Sequence, residues 1–233
     1  MSIPNNIIQA FEEVKKIFVI SRTGVDANSD LLINKNRKKQ YMDSLYSNPG
    51  MIDLENNLIQ QNGIATSLAG FCKSIKNQRY GNCTTQAMYL CNELNKIDVQ
   101  SRLFCATQNH DMTIIKSDNS SEVIIADPWA DYISTVAVKE EYNCLDEMSS
   151  KNLLDIVKHL YANYPYLKTR LDDIDDIDDI DDIDDNTLRT MFHTARPEEK
   201  IMKIANNPKK PPMSIFNSNS ANTLNDGKCC TIF

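Results

Sequence analysis

The chain has 233 residues, 41% of them hydrophobic, and a formal net charge of −7; this length suits one sizeable domain, or a core domain with a tail. The acidity is local. Residues 171–185, LDDIDDIDDIDDIDD, hold ten aspartates and no basic residue, and without them the remainder carries +3, so the acidic total says little about partners. No run approaches the roughly 20 apolar residues of a membrane helix, and the opening MSIPNNIIQAFEEVKK lacks the basic start and apolar stretch of a secretory signal.

The first predicted element is an amphipathic helix over residues 5–20, where Ile7, Ile8, Phe11, Val14, Ile17 and Phe18 recur at helical spacing. Residues 28–62 read as irregular helix broken at Asn48-Pro49-Gly50, and residues 64–76 as a further helix. A polar loop, Asn77 to Asn82, precedes a strong helix over 83–96 with Ala87, Leu90, Cys91 and Leu94 on one face. Three strands are expected next: 99–106, 110–116 and 122–126, the last two joined by the turn Ser117-Asp118-Asn119-Ser120. The third strand runs into Asp127-Pro128-Trp129. Residues 149–170 read as a helix with an interruption at Pro165.

The resulting division is a helical region of the catalytic domain over 1–76, a core over 77–170, an insert over 171–186, a short helix over 187–205 and a flexible tail over 206–233. The Asp-Asp-Ile insert repeats every third residue, matching neither helix nor strand, and its adjacent aspartates repel; it is expected to be solvated and disordered. It lacks the Gly and Glu of an EF-hand loop. The overall class is α+β.

The seven cysteines, Cys72, Cys83, Cys91, Cys105, Cys144, Cys229 and Cys230, include no CxxC pair. That pattern argues against a disulfide framework and a zinc site, and fits a reducing compartment. Neither a metal nor another cofactor is expected.

A nucleophilic cysteine must be a thiolate, and a helix N-terminus or a nearby imidazole lowers its pKa. Cys83 follows Gly81-Asn82 and opens a helix, where the dipole and free amides favour an anion. Of three histidines, His159 lies in a late helix and His193 near the tail, whereas His110 starts a strand. The neighbouring antiparallel strand ends in Asp127, which adjacent strands can bring beside His110. Nucleophile Cys83, base His110 and orienter Asp127 thus follow in chain order. The Cys83 amide, with a side-chain amide from Gln78 or Asn77, is the oxyanion-hole candidate. Gln78 and Asn77 serve equally as turn-capping residues. Trp129, the single tryptophan, either walls the cleft or fills the core.

The pieces YGNCTTQAMYL, QNHDMTIIK and VIIADPWA resemble the papain-like and transglutaminase-like cysteine enzymes found among bacterial effectors. The resemblance covers residues 77–132 and implies a helix bearing the cysteine packed on an antiparallel sheet bearing the His and Asp. It implies Cys83 as nucleophile, His110 as general base and Asp127 as orienter. Two departures stand out: family members often carry an acidic residue shortly after the cysteine, where this chain has Thr84-Thr85-Gln86, and often Asp-His, where it has Asn109-His110. Protease, amidase, deamidase and transglutaminase chemistry all begin with thiolate attack on a carbonyl. Protease is the first expectation, and a non-catalytic prenylated adaptor is the alternative from another class.

The last four residues, Cys230-Thr231-Ile232-Phe233, fit the prenylation pattern, with a terminal Phe that points to geranylgeranyl. Cys229 could take a second lipid. Prenylation is a eukaryotic activity and the motifs resemble bacterial effectors. The combined expectation is therefore a protein secreted into a host cell, lipidated by a host prenyltransferase, and acting on a host protein at the cytoplasmic face of a membrane. No GxxxxGK[ST] loop supports a GTPase, and no basic patch with interleaved aromatics supports a nucleic-acid partner.

Overall fold

The computed structural model describes residues 2–18, 20–21, 68–76, 80–81, 83–107, 110–164, 180–181 and 183–206. The helices are α1 (Asn5–Ile17), α2 (Leu68–Ile75), α3 (Cys83–Asn95), α4 (Ser150–Asn163), α5 (Asp185–Met191) and α6 (Pro197–Asn206). The strands β1 (Ser101–Thr107), β2 (His110–Lys116), β3 (Glu122–Asp127), β4 (Tyr132–Ala137) and β5 (His193–Ala195) form one antiparallel sheet in the order β4-β3-β2-β1-β5. The class is α+β, with helices packed on a five-stranded antiparallel sheet and α3 lying against β1, β2 and β3. Among the described residues no helix is long and apolar enough to cross a membrane. The expected irregular helix over 28–62 lies outside the described residues.

The central strands carry apolar side chains on both faces because both faces are covered. On one face Phe104, Met112, Ile114, Val123 and Ile125 pack with Leu153, Ile156, Val157 and Leu160 of α4. On the other, Leu103, Ile115, Ile124 and Ala126 pack with Phe11 and Val14 of α1 and with Ala87, Leu90, Cys91 and Leu94 of α3. The helical spacing read from α3 is thus the face it buries. The β2–β3 turn closes on itself: Asn119 Oδ1 accepts from the Ser121 amide at 3.1 Å and hydroxyl at 2.8 Å.

Three segments differ from the sequence reading. Residues 132–137 form the edge strand β4, paired along β3 from Asp127↔Tyr132 to Glu122↔Ala137. Half-buried Ser134 and Thr135 mask its apolar alternation. The expected helix over 187–205 is instead α5, β5 and α6. Arg196 precedes Pro197, which disfavours helix at 196 and starts a new one at 197.

The third difference is at the end of the Asp-Asp-Ile run, where Asp181, Asp184 and Asp185 are exposed but the isoleucines are not solvated; residues 171–179 lie outside the described residues. Ile180 is fully buried against the α4 face and Ile183 packs beside it. Asp184 caps α5, accepting from the Asn186 amide at 2.9 Å and the Thr187 amide at 3.0 Å. Isoleucines three apart meet one apolar surface, and an aspartate at a helix start is favoured by the dipole.

Candidate active site

Strand alternation sets the two faces. The register that pairs Thr113 with Ala126 puts Asp127 diagonally across from His110 on the face away from α3. A bulge supports the placement: Cys105 pairs with Asp111 but Thr107 with His110, so β1 carries one extra residue beside the histidine. The two side chains meet, with His110 Nε2 2.7 Å from Asp127 Oδ2. Both are buried, at 2% and 1% exposure.

Asp127 has four partners. Oδ1 accepts from the backbone amides of Trp129 at 3.0 Å and Ala130 at 3.3 Å, the turn that Asp-Pro announces. Oδ2 accepts from the Tyr164 hydroxyl at 2.5 Å as well as facing His110. In the tautomer that donates from Nε2 to this carboxylate, Nδ1 is the acceptor nitrogen of the ring.

Aromatic rings flank the imidazole. Trp129 lies edge-on to it at 5.2 Å, and Tyr164 stacks on it at 6.2 Å and 23°. Tyr132 backs Tyr164 at 4.9 Å. Trp129 is 3% exposed and joins the apolar cluster under α4, the position expected of a core residue.

Cys83 is the first residue of α3 and is 1% exposed. It belongs to the same cluster as Trp129, under α4, whereas Ala87 and Leu90 of the same helix belong to the opposite cluster. The helix start therefore reaches round the end of β2. The loop before it is tight: a Cβ on Gly81 would stand 2.8 Å from Thr85 Cγ2 and 3.0 Å from the Phe18 ring. Gln86 Nε2 donates to the Gly81 carbonyl at 3.1 Å. The short parallel pairing Ile20↔Tyr80 and Ser21↔Gly81 ties the exit of α1 to this loop.

Cys83 is disulfide-bonded in the structure, so thiolate chemistry belongs to the reduced chain. Cys72, Cys91, Cys105 and Cys144 form no disulfide. Burial raises the Cys72 thiol well above its ordinary range and pushes Cys91 up to about 12, so neither is a ready nucleophile.

The sequence reading missed Tyr164. It caps the C-terminus of α4, and the signal was the following proline, which ends helices at the preceding residue. It also missed Asp111, which is buried on the α3 face and accepts from the Thr84 hydroxyl, from Cys105 Sγ at 3.0 Å and from Lys200 Nζ at 3.1 Å. Of the histidines set aside, His159 accepts or donates at Nε2 with Tyr132 and Ser134, at 3.2 and 3.0 Å, and His193 lies in β5.

Gln78, Asn77, Cys229 and Cys230 lie outside the described residues. No group of metal-ligating side chains occurs among the described residues. A cavity of about 210 Å3, lined by Pro4, Asn6, Asp98 and Lys116 among others, sits at the far end of β2 from His110. Comparison with protein families, with curated proteins and with solved structures finds no match.

Proposed function

We propose that the protein is a cysteine-dependent acyl-transfer enzyme, first a protease, in which Cys83 attacks a carbonyl, His110 shuttles the proton and Asp127 orients the ring. The observation that carries this reading is the buried His110–Asp127 pair at 2.7 Å, on the sheet face whose apolar cluster also takes in Cys83 and Trp129. Such a pair fixes the tautomer and steadies the imidazolium that forms when the thiol gives up its proton. The papain-like or transglutaminase-like likeness of residues 77–132 supports the same roles. Transglutaminase and deamidase chemistry use the identical first step and differ in the acceptor. Prenylation at Cys230, with Cys229 as a second lipid site, would bring a secreted effector to the cytoplasmic face of a host membrane and its protein substrates.

The test uses the reduced full chain and a thiol-reactive probe. Cys83 is expected to label faster than Cys144, and His110→Ala to slow it about 30-fold at pH 7, because an unassisted thiol is only a few per cent thiolate there. Equal labelling of Cys83 and Cys144 would remove the enzyme reading.

A second reading is a non-catalytic prenylated adaptor. It is favoured by one observation, the burial of Cys83, His110 and Asp127 to 2% exposure or less.

A further inference from the structure

We infer that Asp111, charged against Lys200, is a clamp that positions Cys83 relative to His110. The inference rests on the cysteine-enzyme reading above. Thr84 follows Cys83 in α3, and Asp111 follows His110 in β2. Alternation along β2 turns Asp111 to the face opposite His110, and there its Oδ2 accepts the Thr84 hydroxyl. One carboxylate thus pins the start of the nucleophile's helix to the start of the base's strand, from the side away from the imidazole.

Lys200 supplies the charge. It comes from α6, and its Nζ lies 3.1 Å from Asp111 Oδ2, while Cys105 Sγ donates to Oδ1 at 3.0 Å. Asp111 is 4% exposed. Burial by itself would lift its carboxyl, but the Lys200 charge and the bonds from Thr84 and Cys105 outweigh it and hold the group below the ordinary carboxylate range. Burial likewise opposes the Lys200 ammonium, and Asp111 overcomes it, holding that group above the usual lysine value. Without Lys200 the Asp111 charge is left buried and uncompensated. The tie from Thr84 to the start of β2 is then weakened. Because a misplacement of about 1 Å in reacting groups costs about 10²-fold in rate, α6, whose Ile201 packs with α1 and α3, contributes to positioning the site through Lys200.

The experiment measures the rate at which iodoacetamide labels Cys83 in the reduced full chain, read by peptide mass, alongside the thermal midpoint. The variants are Lys200→Met and Thr84→Val, the conservative Lys200→Arg and Thr84→Ser, and Ile7→Val as a destabilising control in α1, at the end of the sheet away from His110. Lys200→Met and Thr84→Val are expected to slow Cys83 about tenfold, with Arg and Ser restoring it to within about twofold and Ile7→Val leaving it unchanged despite a lower midpoint. Should Lys200→Met fail to fold, Thr84→Val carries the test. Wild-type rates in both variants, or losses no larger than that of Ile7→Val, overturn the clamp. If wild-type Cys83 labels no faster than Cys144, or His110→Ala does not slow it, the enzyme reading falls and the clamp with it. If those two controls behave and the clamp variants do not, the clamp alone falls.

Discussion

The Tyr164 hydroxyl donates to Asp127 Oδ2 at 2.5 Å, the same oxygen that His110 Nε2 meets at 2.7 Å. A tyrosine from the end of α4 and a histidine from the start of β2 therefore share one carboxylate oxygen. With Oδ1 accepting two backbone amides, no part of the aspartate is left to rotate. The carboxylate is held by its own turn on one side and by α4 on the other.

Tyr164→Phe keeps the ring on His110 and removes one charge-assisted hydrogen bond. Such bonds contribute roughly 1.5–3 kcal/mol, and urea unfolding is expected to show a loss in that range. Asp127→Ala removes the shared acceptor from both Tyr164 and His110 and is expected to cost more than Tyr164→Phe. Equal losses would show that the tyrosine bond carries the whole interaction.

Asp111 makes stability sensitive to acid. Its folded carboxyl lies below the unfolded value of about 3.9. The unfolded chain therefore binds the proton first as pH falls. The contribution is fully present above about pH 3.9 and is lost as pH drops through the lower folded value. Asp111→Asn is expected to flatten this part of the profile and, by leaving Lys200 unpaired, to cost about 3 kcal/mol at neutral pH. Unfolding free energies measured from pH 2 to 7 in both proteins decide it.

His159 acts at higher pH. Burial holds its imidazole below the ordinary histidine value. The stability it confers is full above about pH 6.5 and declines as pH falls toward the lower folded value, because the unfolded chain takes the proton first. The ring nitrogen shared with Tyr132 and Ser134 would have to give up any acceptor role on protonation. His159→Gln is expected to reduce the slope of stability against pH just below 6.5. An unchanged slope would assign that dependence to other groups.

Gly81→Ala probes the loop before Cys83. The added methyl meets Thr85 Cγ2 at 2.8 Å and Thr85 Cβ at 2.9 Å, so either the loop or the first turn of α3 must shift. Overpacking of this kind costs about 1–3 kcal/mol. A lower thermal midpoint together with slower Cys83 labelling is the expected pair of outcomes. A stable variant with unchanged labelling would show that the loop yields without moving Cys83.

Cys230→Ser isolates the lipid signal. In a prenylating extract the wild-type chain is expected to gain one isoprenoid mass at Cys230 and to partition into detergent, and the variant to do neither. No mass shift in the wild type would remove membrane targeting from the proposal.

Local pattern by itself determined a good deal of this protein. The apolar spacing Ala87, Leu90, Cys91, Leu94 determined α3 and its buried face, and β-branched runs determined β2 and β3, because period and propensity act over a few residues. Asp127-Pro128 determined a turn, and His110 at a strand start beside it was enough to expect the contact. What only the tertiary structure decided lies where distant segments converge. Tyr164 on Asp127, Lys200 on Asp111 and Ile180 in the core each join residues far apart in sequence, and nothing in a local window marks a tyrosine or an aspartate as the one that will be met. The end of the Asp-Asp-Ile run shows the reason most plainly. Its charge favours solvent, but burying Ile180 and capping α5 with Asp184 outweigh that preference once α4 offers an apolar surface. Cys83 was legible as a helix-opening residue; its burial and its place on the His110 side of the sheet were decided by the fold.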